Sequence, residues 1–302
     1  MSKIKIANAP CSWGVLEFDL EGESTTYEQV LDEIAETGYL GTELGDWGFM
    51  PTDPAALNKE IEKRKLDLLG AFVPIAFSDV GSHQEGIERA VKTAQLMRDA
   101  GFPDAFIVLA DNNGSVDERV KNAGRIPHEQ QLPNDLMKVF AEGVNKTALA
   151  IKEKAGLRTV FHHHAAGYIE TPEEIERLLR ETDPDLVGLC FDTGHFLFGG
   201  GRDIPGFMTK YWDRIWHVHF KDFSTHVKAN ADLEGWDYFQ AVQNGIFCEL
   251  GTGAVNFTEV KQLLEDNNYH GWIVVEQDVL PGMGQPKQCA QNNRRYLKTI
   301  GL

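Results

Sequence analysis

Eight times along this chain a short apolar run is followed by a stretch with amphipathic, helix-like spacing. The runs show little polar alternation. That is the pattern of parallel strands covered on both faces, not of antiparallel strands with one wet face. Eight such βα units in 302 residues predict an α/β fold, a single (β/α)8 or TIM barrel spanning residues 1–302 as one domain. No Pro/Ser-rich linker or shift in composition divides the chain. An open, doubly wound sheet is the rival. It would carry a glycine fingerprint after the first strand, and the NAPCSWG loop is not one.

In order, the strands are expected at Ile4 to Ala9, Gly41 to Gly45, Leu66 to Val73, Ala105 to Ala110, Leu157 to His164, Leu186 to Asp192, the RIWHVHF run, and GWIVVEQ ending at Glu276. Capping signals mark several helix starts: Thr25 with Glu28, Asp53-Pro54, Thr171-Pro172 with Glu174, and Asn256 with Glu259. Gly38 closes the first helix. Further helices are expected from about Gln84 to Ala100, from His128 to Ala155, and from Lys287 to Thr299, with a polar loop, DNNGSVDER, before the second of these. The stretch from Asp222 to Gly253 reads as irregular, and a connection that long is usually functional.

The formal net charge is −17, and a surface that acidic repels nucleic acid and anionic lipid. It suits a small, neutral substrate, although solubility alone can account for it. No apolar run approaches the roughly 20 residues that span a bilayer, and MSKIKIANAP lacks a signal-peptide core. No membrane association is expected, and the cytoplasm is the expected location. The four cysteines are far apart, with no CxxC pair, and read as reduced thiols.

Chemistry concentrates at the strand ends. Three runs stop on Asp192, His219 and Glu276, and the fifth on His162-His163-His164. Seven of the ten histidines lie between positions 162 and 226. In a barrel these ends meet at one mouth, where they can surround one ion. Mixed imidazole and carboxylate donors suit Mn²⁺, Co²⁺, Zn²⁺ or Fe²⁺ better than Mg²⁺ or Ca²⁺. Alternation puts His162 and His164 on one face, with His162 level with the other donors, and His163 on the opposite face. Plainer readings stand beside these. Asp192 can cap the following helix, His217 can bond a core carbonyl, and Glu276 can pair with a lysine at the rim.

DTGH at Asp192 to His195, HVHFKD at His217 to Asp222, and VVEQ around Glu276 resemble the xylose-isomerase-like TIM barrels, a superfamily of sugar isomerases, epimerases and dehydratases. The resemblance covers nearly the whole chain. It implies that Asp192, His219 and Glu276 bind a divalent metal, with Mn²⁺ or Co²⁺ favoured. The fourth family ligand is usually a strand-five glutamate, and here His162 stands at that corner. The HHH run followed by Gly167, the GTELG strand and the FCELGTGAVNF segment are similar to the inosose (2-keto-myo-inositol) dehydratase branch.

That resemblance implies proton removal beside a carbonyl to give a metal-bound enediolate, followed by loss of a β-hydroxyl from a keto-polyol. The alternative on the same site is a ketose isomerase or epimerase. Epimerases of the family pair glutamates on strands five and eight as opposed proton carriers. One is missing here, so that exchange would need Glu43 or Glu249 as a substitute. Glu276 or His164 is the candidate base, and Lys221 or His195 assists the departing oxygen. Glu43 is a further catalytic candidate. Trp13 and Trp47, which can stack on a polyol, are substrate-binding candidates with His217 and Glu249. The resemblance also implies a homo-oligomer, but no stretch identifies an interface.

Overall fold

The computed structural model describes residues 4–14, 25–280 and 282–302. Eight parallel strands close into a barrel: β1 (Lys5–Asn8), β2 (Gly41–Glu43), β3 (Asp67–Pro74), β4 (Phe106–Ala110), β5 (Arg158–His162), β6 (Val187–Asp192), β7 (Ile215–Phe220) and β8 (Trp272–Val275). Each strand pairs with its neighbours in sequence, and β8 closes on β1 through Lys5↔Trp272 to Asn8↔Val275.

Alternation sorts the side chains into two environments. Ile107, Leu109, Phe161, Phe191 and Val218 turn outward into the large core shared with the helices. Val108, Val160 and Cys190 form a separate cluster with Phe106, and Ala7, Ala9 and Val274 another, filling the lumen. The lumen is therefore packed, and its carboxyl-terminal rim is where a site can open to solvent.

The helices are α1 (Tyr27–Glu36), α2 (Pro54–Lys63), α3 (Val80–Asp99), α4 (Asp117–Lys121), α5 (Asn134–Ala155), α6 (Pro172–Glu181), α7 (Thr193–Phe198), α8 (Ile204–Lys210), α9 (Thr225–Glu234), α10 (Tyr238–Gln243), α11 (Phe257–Asp266) and α12 (Pro286–Thr299). Asp53 and Asn256 cap α2 and α11 through their side chains, and Thr171 with Glu174 makes the capping box of α6. Gly38 follows α1 at φ 87°. None of the described helices is long and apolar enough to cross a membrane.

Four expectations need correction. Thr26, not Thr25, caps α1, its hydroxyl accepting from the Gln29 N–H. The helix expected from His128 starts only at Asn134, after Pro133, with a short 3-10 turn at His128–Gln130 before it. Strand β5 ends at His162, so His163 and His164 belong to the loop beyond it. The stretch after Asp222 is not irregular. Asp222–Phe223 pairs antiparallel with Phe247–Cys248, and α9 and α10 fill the interval. Of α9 only Ala231 is buried, so its sequence carries no apolar stripe, and α10 is too short to show one.

Candidate metal centre and cleft

The four strand ends place their side chains as the spacing predicts. His162 is the last residue of β5 and Asp192 the last of β6; His219 lies one residue before the end of β7. Glu276 follows β8, and its N–H still donates to the Phe220 carbonyl across the barrel seam. One donor atom from each of the four lies within 4.8 Å of the others. His162 Nε2 is 3.8 Å from Asp192 Oδ2, His219 Nδ1 is 4.0 Å from the same oxygen, and His219 Nδ1 is 3.3 Å from Glu276 Oε1.

Asp192 performs two tasks at once. Its Oδ1 caps α7 by accepting the His195 N–H at 2.7 Å, so the plain reading of this residue holds. Its Oδ2 has no hydrogen-bond partner, although it is buried, and neither has His219 Nδ1. Buried polar atoms without partners are expensive and rare. Two of them, facing a further imidazole and a further carboxylate, fit a divalent cation.

His219 is oriented from behind. Its Nε2–H donates to Glu43 Oε1 at 3.1 Å, and His217 Nε2–H donates to the same oxygen at 2.8 Å. In the neutral ring this leaves the Nδ1 lone pair toward the cluster, the carboxylate–histidine arrangement that raises a ligand's basicity. Burial is outweighed by Cys190, Glu276 and Glu43, which raise the affinity of His219 for a proton well above that of an ordinary imidazole, and a cation competes for that position. Glu43 fits because β3 carries glycine opposite it; a Cβ at Gly70 would come 3.0 Å from Glu43 Oε1. Burial pushes the Glu43 carboxyl up, but the two imidazoles outweigh it and hold it at about 2. Burial is likewise outweighed at Glu276, which His219 and Lys221 hold well below the usual carboxylate range.

Lys221, just past β7, is buried with its Nζ 3.3 Å from Glu276 Oε2, 3.2 Å from Asp278 Oδ2 and 3.3 Å from His195 Nε2. Burial works against its charge, yet Asp278, Glu276 and Asp192 outweigh it and keep it an ammonium. Gly194 of DTGH makes room for it, since a Cβ there would approach Lys221 Cγ to 2.7 Å. His164 Nδ1 donates to the Ala165 carbonyl at 2.6 Å, which leaves Nε2 as an acceptor. Burial, then the neighbouring His162 and Lys221, hold this ring neutral, with its pKa lowered to about 3.

A cleft of about 840 Å³, including space open to solvent at its mouth, lies over the cluster. Its polar side is His162, His164, Lys221, Glu276 and Asp278, with Glu43 and Asp46 at the edge; its apolar side is Phe72, Tyr238, Phe239, Val242 and Leu280. Such a mixed wall suits a small polar molecule with an apolar face.

Other candidates are placed elsewhere. Trp13 is buried, its indole N–H donating to Glu33 Oε2 of α1 at 2.6 Å. Trp47 is 43% exposed, under Lys92 of α3. Glu249 Oε1 accepts from Asn292 of α12. Neither these three nor His217, which bonds Glu43, lines the cleft. His195 is buried behind Lys221. Sequence reasoning missed Asp278, whose signal was a second carboxylate in EQD, two residues after Glu276. It also missed the α10 wall, hidden in the stretch read as irregular.

Known proteins are similar over the full length. The family model described as xylose isomerase-like TIM barrel matches residues 31–300. The inosose dehydratase of Geobacillus kaustophilus strain HTA426 is 31% identical over 300 residues, covering 99% of this chain and 96% of that one. The inosose dehydratase of Clostridium beijerinckii is 29% identical, covering 98% and 97%. Among solved structures, the IOLI protein with a bound zinc atom superposes with a TM-score of 0.72 at 14% identity, covering 98% of each chain. The 3-keto-D-glucoside 4-epimerase YcjR of E. coli superposes with a TM-score of 0.70 at 16% identity, covering 98% and 99%. At such identities the two structures speak for the fold alone.

Proposed function

Because this chain belongs to the xylose isomerase-like TIM-barrel family, we propose that it is a metal-dependent carbon–oxygen lyase that dehydrates a small keto-polyol such as 2-keto-myo-inositol. The observation that carries this reading is the convergence of His162, Asp192, His219 and Glu276, with unpartnered donor atoms, beneath a cleft that also presents a buried ammonium. Full-length similarity to inosose dehydratases supports the substrate class.

Those four residues would hold the ion, Mn²⁺ or Co²⁺ by the donor chemistry. When bound, it would act as a Lewis acid on the substrate carbonyl, acidifying the neighbouring C–H. His164, held neutral on the cleft wall, is the candidate to take that proton. Glu276 is the second candidate for this step, but one oxygen faces His219 and the other Lys221. Lys221 gives a proton to the β-hydroxyl. As the C–H electron pair becomes the new double bond, the C–O bond breaks and water leaves. Asp278 and His195 position the ammonium. His164 and Lys221 line one cleft, the first held neutral and the second charged, the starting protonation states of a base and an acid.

An epimerase on the same site would need a second proton-carrying carboxylate. Glu43 is occupied by two histidines and Glu249 lies outside the cleft, which disfavours that exchange. Incubation of the metal-loaded protein with 2-keto-myo-inositol tests the choice. Dehydration forms an ultraviolet-absorbing diketone lighter by one water. A product of unchanged mass would assign the chain to the isomerases or epimerases instead.

A further inference from the structure

We propose that Cys190 is an additional, sulfur donor to the ion, placed on the lumen side of the cluster, and that it biases the site toward Co²⁺ or Zn²⁺ over Mn²⁺. The inference rests on the metal reading above and deepens it. Cys190 lies two residues before Asp192 on β6, facing inward, and pairs in register with His162 of β5 and His217 of β7. Its sulfur and one nitrogen each of His162 and His219 lie within 4.8 Å of one another, a second donor set that shares both imidazoles with the first. The fully buried His219 Nδ1, which has no hydrogen-bond partner, independently marks this place as one for a ligand; the carboxylates of Asp192 and Glu276 belong to the first donor set and not to the second.

The two sets differ in chemistry. His162, Asp192, His219 and Glu276 offer two imidazoles and two carboxylates, which accept Mn²⁺ readily. Adding a thiolate favours the softer, later ions. The sulfur–metal bond forms with release of the thiol proton to water, as metal binding at cysteine requires. The Cys190 side chain is fully buried, has Phe106, Val108 and Val160 as its other neighbours, and is absent from the cleft wall. Bound there, it would anchor the ion from below and leave the cleft side for substrate. Cys11, by contrast, is on the cleft wall and serves as an internal control.

Absorption spectroscopy of protein loaded with Co²⁺ alone tests this. Visible d–d bands report that the ion is bound, and a near-ultraviolet sulfur-to-cobalt charge-transfer band reports thiolate ligation. Wild type is expected to show both. Cys190→Ser and Cys190→Ala should keep the d–d bands and lose the charge-transfer band. The Co²⁺/Mn²⁺ affinity ratio should also fall roughly tenfold or more in these variants. Cys11→Ser should retain both bands. So should the triple variant Cys11→Ser, Cys248→Ser, Cys289→Ser, which decides the matter even where position 190 tolerates no change. Stoichiometric cobalt binding without a charge-transfer band overturns the role of Cys190 and leaves the metal site standing. Absence of cobalt binding in wild type overturns both.

Discussion

Two buried charged clusters flank the segment that follows β5, and they are built on opposite terms. In one, Arg119 of α4 and Glu174 of α6 form a two-pronged ion pair at 3.1 and 2.8 Å. Arg119 Nε donates to the Gly167 carbonyl, and Glu174 also accepts the Glu170 and Thr171 N–H groups. Glu170 accepts from Gly124 and Ala166. No side-chain atom of these three residues lacks a partner among the described residues. In the other, around His162, Asp192, His219 and Glu276, the buried Asp192 Oδ2 and His219 Nδ1 lie 4.0 Å apart and neither has a hydrogen-bond partner. A satisfied cluster is a finished piece of structure. The unsatisfied one carries the buried, unpartnered donors that fit a divalent cation.

The sharpest way to break this contrast is Asp192→Asn. The amide oxygen can still cap α7 while the charged, unpartnered oxygen is lost. Turnover should fall roughly a thousandfold or more. The rise in Tm on adding Mn²⁺ or Co²⁺ should vanish with it, about 2.7 kcal/mol at one hundred times Kd. Elemental analysis and thermal scans check both. A variant that still binds metal at wild-type affinity would mean that Asp192 serves only as a cap.

Arg119→Met attacks the other cluster and should do the reverse. It strands the Glu174 carboxylate in the interior at a cost of about 3–5 kcal/mol, visible as a lower denaturation midpoint. Metal content per folded molecule should be unchanged. Loss of metal from protein that remains folded would show that the two clusters are one system.

These clusters were not equally legible in the sequence. The candidate metal centre was, because each donor ends an apolar run and the barrel brings run ends together. Asp192, His219 and Glu276 needed only the strand count. The structural cluster was not. Glu174 signalled a capping box, which it makes, but nothing local says that its carboxylate also receives Arg119, 55 positions away. Arg119 itself lay within what read as a polar loop. The same limit explains Trp13, Trp47 and Glu249. Strand spacing fixes which side chains reach the mouth, but loop residues have no such register. The wall on α10 went unseen because six residues are too few for a periodic signal.

Glu43 stands between the two kinds of cluster, since it reaches the edge of the cleft and accepts from both His217 and His219. Glu43→Gln keeps the shape and an oxygen that can still accept from both histidines, but it removes the negative charge that raises the basicity of His219. Metal affinity should fall roughly 10- to 100-fold, read by competition with a chelating dye. Unchanged affinity would make Glu43 part of the packing and no more.

The smallest effect concerns pH and the satisfied cluster. Burial raises the Glu170 carboxyl to about 7, against the pull of Arg119 and the Gly124 and Ala166 N–H groups. In the unfolded chain a glutamate titrates near about 4.3. Between those values the folded state holds more protons than the unfolded, so Glu170 makes stability fall as pH rises through this window and level off above it. Asp111, raised by burial to about 6, adds the same sign over the lower part of the window. Glu170→Gln removes the first contribution and leaves the second. The variant and wild type should therefore differ least near pH 4, with the variant gaining on wild type as pH approaches 7. Parallel curves across the window would mean that Glu170 ionises as it does in water. The cluster would then be held by charge and not, as its complete set of partners indicates, by hydrogen bonds that a neutral group can also make.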